Sequence, residues 1–250
     1  MKQRFSVWTL ALRPVFLPLL LLLSAAGAAQ YLFFRRALSA AVRRLGAGQG
    51  LQYAFSFETL VEDGPSALIL GIVFLLAALL FFFAAGDTAG GRVNDTLGRL
   101  AVPEKEIHLW WSALFALLFL LIAVWQILLL FTMLALWLRS PLGAYAGGHP
   151  YLLACWRSPL LHSLLPLGDL TRWIRNLILA PCLGLCLSVG AYFNRHGRRT
   201  LLTLWPMGLT IALFLQEKAS FGADLFLIFS VLLPTLALLC SFWRDEQWNA

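Results

Sequence analysis

LWWSALFALLFLLIAVWQILLLFTMLALWL, residues Leu109–Leu138, runs for thirty positions without a charged side chain. A bilayer core of about 30 Å is crossed by about 20 apolar residues in a helix. At 1.5 Å per residue this stretch would be roughly 45 Å long, so it must tilt or project from the membrane. Working outward, five more stretches are oily enough to cross: Pro14–Phe34, Ser66–Ala85, Asn176–Phe193, Thr200–Gln216 and Phe221–Trp243. The fourth and fifth spans in chain order, 176–193 and 200–216, barely reach the needed length.

Composition agrees with this pattern. Hydrophobic residues make up 60% of the 250, and charged residues 12%, against about 45–50% and about 25% in ordinary soluble domains. No soluble fold of this length hides so much apolar surface. The net charge of +7 does not mark a nucleic-acid protein, because the Lys and Arg residues lie in small groups between apolar runs rather than on one face. The expected fold is therefore all-α: a polytopic membrane protein with six transmembrane helices, forming a single membrane domain over residues 1–250.

The N-terminal stretch Phe5–Arg13 reads as a short interfacial helix, broken by Pro14 at the entry to the bilayer. The first span has signal-peptide features in Lys2, Arg4 and Ala26-Gly27-Ala28. Its apolar run continues through Tyr31-Leu32-Phe33-Phe34, beyond an ordinary h-region, and it reads as a retained span. With both termini cytoplasmic, ten of the nineteen Lys and Arg fall inside. The more telling evidence is Arg195-His196-Gly197-Arg198-Arg199, in the very short link between the fourth and fifth spans, where the positive-inside rule is sharpest. Arg35, Arg36, Arg43 and Arg44 fall outside in this scheme. The connection 139–175 carries Ser140-Pro141, His149-Pro150 and Ser158-Pro159, which favour turns. Within it, Leu160–Leu167 is too short to cross and reads as an interfacial or re-entrant piece.

The loop between the second and third spans is the most informative polar stretch. Gly86 and Gly91 have phosphate-loop spacing, but Arg92 and Val93 replace the Lys and Ser or Thr that hold phosphate and magnesium. The chain thus lacks that ATP site. Asn94 or Asp95 suits a helix N-cap, and Pro103 with Glu104 and Glu106 suits the start of the next helix. The segment Thr96-Leu97-Gly98-Arg99-Leu100-Ala101-Val102-Pro103, followed by charges and a long aromatic span, resembles the cytoplasmic loop of type-2 ABC transporter permeases. Six spans and an N-terminal interfacial helix are also similar to that family.

The resemblance implies a permease subunit of an ATP-driven exporter in the cell membrane. It implies two partners: a separate ATP-binding cassette ATPase and a second permease copy or related permease. Asp95, Thr96, Leu97, Arg99, Leu100 and Glu104 would then form the coupling surface, and no cofactor or catalytic residue would reside in this chain. The long 139–175 connection departs from the family pattern, which more often elaborates the last outer connection.

Within the spans, Ala180, Gly184 and Ser188 recur at four-residue intervals, with Cys182, Cys186 and Gly190 beside them, a spacing that favours close helix packing. Pro181, Pro206 and Pro234 mark places to bend. Gln126 must face another helix or a cavity, either as an interhelical hydrogen-bond partner or on a substrate path. Asp224 has Lys218 as its expected partner. Cys182 and Cys186 have no nearby His, Asp or Glu to complete a metal site. A second reading is a membrane-embedded enzyme acting on lipid or peptide through His and Asp or Glu brought together at a bilayer face, with His108, His162 and Asp224 as the positions whose substitution tests it. A third is a sensor or assembly anchor.

Overall fold

The computed structural model describes residues 2–47, 56–86, 103–146, 148–197, 203–214 and 221–244. Among them every regular element is a helix: α1 (Lys2–Gly46), α2 (Phe57–Glu62), α3 (Ser66–Gly86), α4 (Glu104–Arg139), α5 (Pro150–Arg157), α6 (Pro159–Leu164), α7 (Leu170–Arg195), α8 (Leu204–Phe214) and α9 (Phe221–Arg244). Five of these, α1, α3, α4, α7 and α9, are long and apolar enough to cross a membrane. The protein is a multi-pass helical membrane protein.

The N-terminus differs from the expectation of a short helix ended by Pro14. Helix α1 passes through both Pro14 and Pro18 without a break. Each proline removes a helix hydrogen bond, a loss that spanning helices tolerate when packing and neighbouring groups compensate. Here Val7, Ala11, Val15 and Leu19 form an i, i+4 stripe that is almost completely buried. The indole N–H of Trp111 on α4 also donates to the Val7 carbonyl at 3.1 Å. Continuous packing on both sides of the prolines outweighs their local preference.

Contacts fix the direction of each helix. The start of α1 lies beside the start of α4 through Val7 and Trp111. Helices α3 and α4 are antiparallel, Phe81 stacking on Phe115 at 5.0 Å and Phe74 on Phe119 at 5.4 Å. Helices α7 and α9 run parallel. Near their starts Arg175 meets Asp224, midway Cys186 meets Thr235, and near their ends the rings of Tyr192 and Phe242 lie 4.9 Å apart. The bundle therefore has a foot, where α1 and α4 begin and α3, α7 and α9 end, and a head at the opposite side.

At the head, Pro141, Pro150 and Pro159 each open a short helical piece, a 3₁₀ turn over Pro141–Tyr145 followed by α5 and α6. Proline suits a first helical turn because that N–H has no intrahelical partner. The oily segment from Leu160 is thus a folded cap, with Leu160, Leu161 and Leu164 buried.

Helix α7 is the central strut. Of its most apolar window 72% is buried, against 28–39% for the other four long helices. Small residues allow this. A Cβ on Gly184 would run into the backbone of Ser112 and Ala116 on α4, and Ala180 and Ser188, one turn either side, are also buried. The two helices touch backbone to backbone, as the four-residue spacing of small residues requires.

Candidate functional site

Two polar clusters sit at the two ends of α7, and a third lies between α1 and α4. The head cluster centres on Arg175, 1% exposed, whose Nη1 donates to Asp224 Oδ1 at 2.6 Å. Its Nη2 donates to the carbonyl and to the hydroxyl of Ser163 on α6, both at 3.0 Å. The Asn176 side-chain carbonyl accepts from Arg175, and the Asn176 amide donates to the Ser163 carbonyl at 2.9 Å. Arg172 reaches the second Asp224 oxygen at 3.5 Å and Asp169 at 3.2 Å. Asp169 also caps α7, accepting from the amides of Thr171 and Arg172.

A buried carboxylate and guanidinium hold together only when geometry and further hydrogen bonds compensate desolvation. Here α6, α7 and α9 all contribute. The partner of Asp224 is thus Arg175, with Arg172 behind it, whereas its expected partner Lys218 lies outside the described residues.

The foot cluster joins the first turn of α4 to the last turn of α7. Arg195 Nη2 lies 2.5 Å from Glu104 Oε1 and also donates to His108 Nε2. The other ring nitrogen of His108 is 3.1 Å from Ser188 Oγ. Because the Ser188 hydroxyl donates its own proton to the His108 carbonyl at 2.7 Å, its oxygen accepts from Nδ1–H. His108 is therefore neutral, with Nε2 as the acceptor for arginine. Tyr192 is packed between His108 and His196, and the Lys105 ammonium lies 5.4 Å over the Phe242 ring. His108 is fully buried, while the Glu104 side chain remains 35% exposed.

In the membrane interior the Gln126 amide exchanges two hydrogen bonds with Gln30 of α1, at 2.9 and 3.1 Å. Both side chains are buried. Of the two roles open to Gln126, the structure places it in the interhelical pair. Asp95, Thr96, Leu97, Arg99 and Leu100, the bulk of the expected coupling surface, lie outside the described residues. Glu104, the remaining member, begins α4 and is held to α7.

Of the residues named for a membrane-embedded enzyme, His108 lies 3.8 Å from the Glu104 carboxylate at the foot, whereas Asp224 lies at the head. His108 contacts Ser188 and Asp224 contacts Arg175, thirteen residues apart on α7, roughly 20 Å along the axis. His162 instead lies on α6, its ring against Trp156. Among the described residues no group of three His, Cys, Asp or Glu is arranged to hold a metal ion.

Sequence reading missed Arg175, Arg195 and Gln30 as partners. A signal existed for two of them, since Arg175 immediately precedes the fourth span and Gln30 is an amide within the first. Which polar group each would meet depends on tertiary pairing. No family model, curated protein or solved structure matches the chain.

Proposed function

We propose that the chain is the membrane-spanning permease subunit of an ATP-driven transporter, an exporter, worked by a separate ATP-binding cassette ATPase that grips the polar link 87–103. The observation that carries this reading is the Glu104–Arg195 ion pair. Glu104 is the first helical residue after the link, and Arg195 ends the central helix, so a push on the link reaches α4 and α7 together. Through Arg175 and Asp224 the same helix is tied to α9 and to the head cap. A local displacement at the foot thus has a rigid route to the far side.

The parallel course of α7 and α9 supports six crossings. Helix α7 ends at the foot and α9 begins at the head, and in this reading the segment 196–220, to which α8 belongs, is the crossing between them. That count puts both termini and the 87–103 link on one side, read here as the cytoplasmic side of the cell membrane. A second permease copy would complete the transporter, as two such subunits with two ATPases do in the family this loop resembles.

The test is to isolate the chain from its native membrane after cross-linking from cysteines placed at Leu97 and Arg99. A stoichiometric nucleotide-hydrolysing companion attached at those positions is the expected find. Alanine at both positions should separate ATP hydrolysis from transport in a folded protein. Normal transport in that double variant, or labelling of the link from the extracellular side, would overturn the proposal.

A further inference from the structure

A groove of about 270 Å³ opens chiefly between α4 and α7, with Phe74 of α3, Leu164 of α6 and Thr210 of α8 also on its wall. That is nearly twice the roughly 150 Å³ apolar cavity that admits benzene. Phe74, Phe119, Ala180 and Leu183 line its depth, and Val124 and Leu177 its rim. The two polar side chains on its wall are already engaged with protein. Asn176 bonds to Ser163 and Arg175, and the Thr210 hydroxyl donates to the Pro206 carbonyl at 2.6 Å. Below the indole of Trp173 the groove offers hydrocarbon.

Its dimensions match one leaflet. On α7 the lining runs from Trp173 to Leu183, eleven residues or roughly 15 Å of axis, half of a core about 30 Å thick. The upper end is Trp173, 41% exposed and next in sequence to Arg172 of the charged head cluster. Tryptophan at that level is characteristic of the membrane–water boundary. The rim is open rather than covered: Val124 is 51% exposed and Leu177 65%. It is continuous with the outward leucines of α4, such as Leu121 and Leu128, whose surroundings in a spanning helix are lipid.

We propose that this groove seats one acyl chain of a bilayer phospholipid, entering sideways, with the headgroup level with Trp173 and the chain end against Phe119 and Leu183. This requires only that the helices span a membrane, and it stands or falls separately from the transporter reading.

The experiment uses the full chain in nanodiscs of phosphatidylcholine containing a small fraction of phosphatidylcholine with a diazirine midway along one acyl chain. After irradiation, adducts are mapped by mass spectrometry. Labelling should concentrate on the groove segments of α4 and α7, several-fold above the equally exposed Leu233 face of α9. Val124→Trp, at an open rim position that leaves the core untouched, and Ala180→Trp, which fills the floor, should each lower it several-fold. Leu233→Trp should leave it unchanged. Adducts spread over every outward face in proportion to exposure would mean general lipid contact only and would overturn the proposal. So would groove labelling that persists in Val124→Trp with the fold intact.

Discussion

The head and the foot of α7 use similar chemistry to different ends. At the head, arginine and aspartate are both almost wholly buried, and every guanidinium nitrogen of Arg175 has a partner. At the foot, the arginine meets a glutamate whose side chain is 35% exposed and an imidazole that is neutral. A buried charge pair resists change because removing one partner strands the other. At the foot only the glutamate is partly open to water, Arg195 being 10% exposed, so parting that pair costs less than parting the fully buried one. The head is therefore the costlier of the two ends to open. Under the proposed function that difference would give the bundle a fixed end and a movable one.

The comparison is most sharply broken at the head. Asp224→Asn or Arg175→Met alone should destabilise the fold by about 3–5 kcal/mol, read as a large loss of thermal stability in detergent. The double variant Arg175→Met with Asp224→Leu, which strands no charge between those two positions, should recover much of the loss. If each single change proved nearly silent, the head would be no lock.

The middle of the strut comes next. Gly184→Val forces a side chain against the α4 backbone and should cost about 1–3 kcal/mol by overpacking. The same substitution at Gly208 on α8, where a Cβ meets nothing, should be far milder. Equal effects at the two glycines would deny α7 its close approach to α4.

How much of this the sequence carried follows from the range of the forces involved. Spans such as Ser66–Ala85 were legible because crossing a bilayer is a local requirement on length and apolarity, and α3 matches that stretch to within one residue. The close packing along Ala180, Gly184 and Ser188 was legible for the same reason, since a helix face is set by spacing alone. Pro14 misled because its preference for ending a helix is local, whereas the Val7-to-Leu19 stripe that keeps α1 whole is tertiary. Asp224 was linked to Lys218, which lies outside the described residues, while Arg175, 49 positions away, was not linked to it at all. Charges choose partners by position in the folded bundle, and nothing in a linear reading brings Arg175 to Asp224.

Between the two ends, the Gln30–Gln126 pair tests whether α1 belongs to the fixed part. Gln126→Leu leaves one amide without its partner and should cost about 1–2 kcal/mol, with a coupling of about 0.6 kcal/mol or more in a double-mutant cycle with Gln30→Leu. Thermal unfolding of the four proteins in one detergent measures it. Strict additivity would mean that the two amides do not bond in the membrane.

The smallest effect on stability is expected at the foot, and there the contrast with the head becomes functional. Glu104→Gln removes a charge from a pair that water partly screens, so its cost should be about 1 kcal/mol or less. Arg195→Gln should cost more, because Arg195 also serves the buried His108. If the foot is the movable end, Glu104→Gln should leave folding and membrane insertion almost unchanged while weakening the transmission of motion from the 87–103 link to α7. Paired distance measurements, from spin labels at residue 97 and at the foot of α7, would detect that loss directly in the presence of nucleotide and the ATPase that the proposed function requires. A large stability loss in Glu104→Gln would make the foot a second lock, and the distinction between the two ends of α7 would disappear.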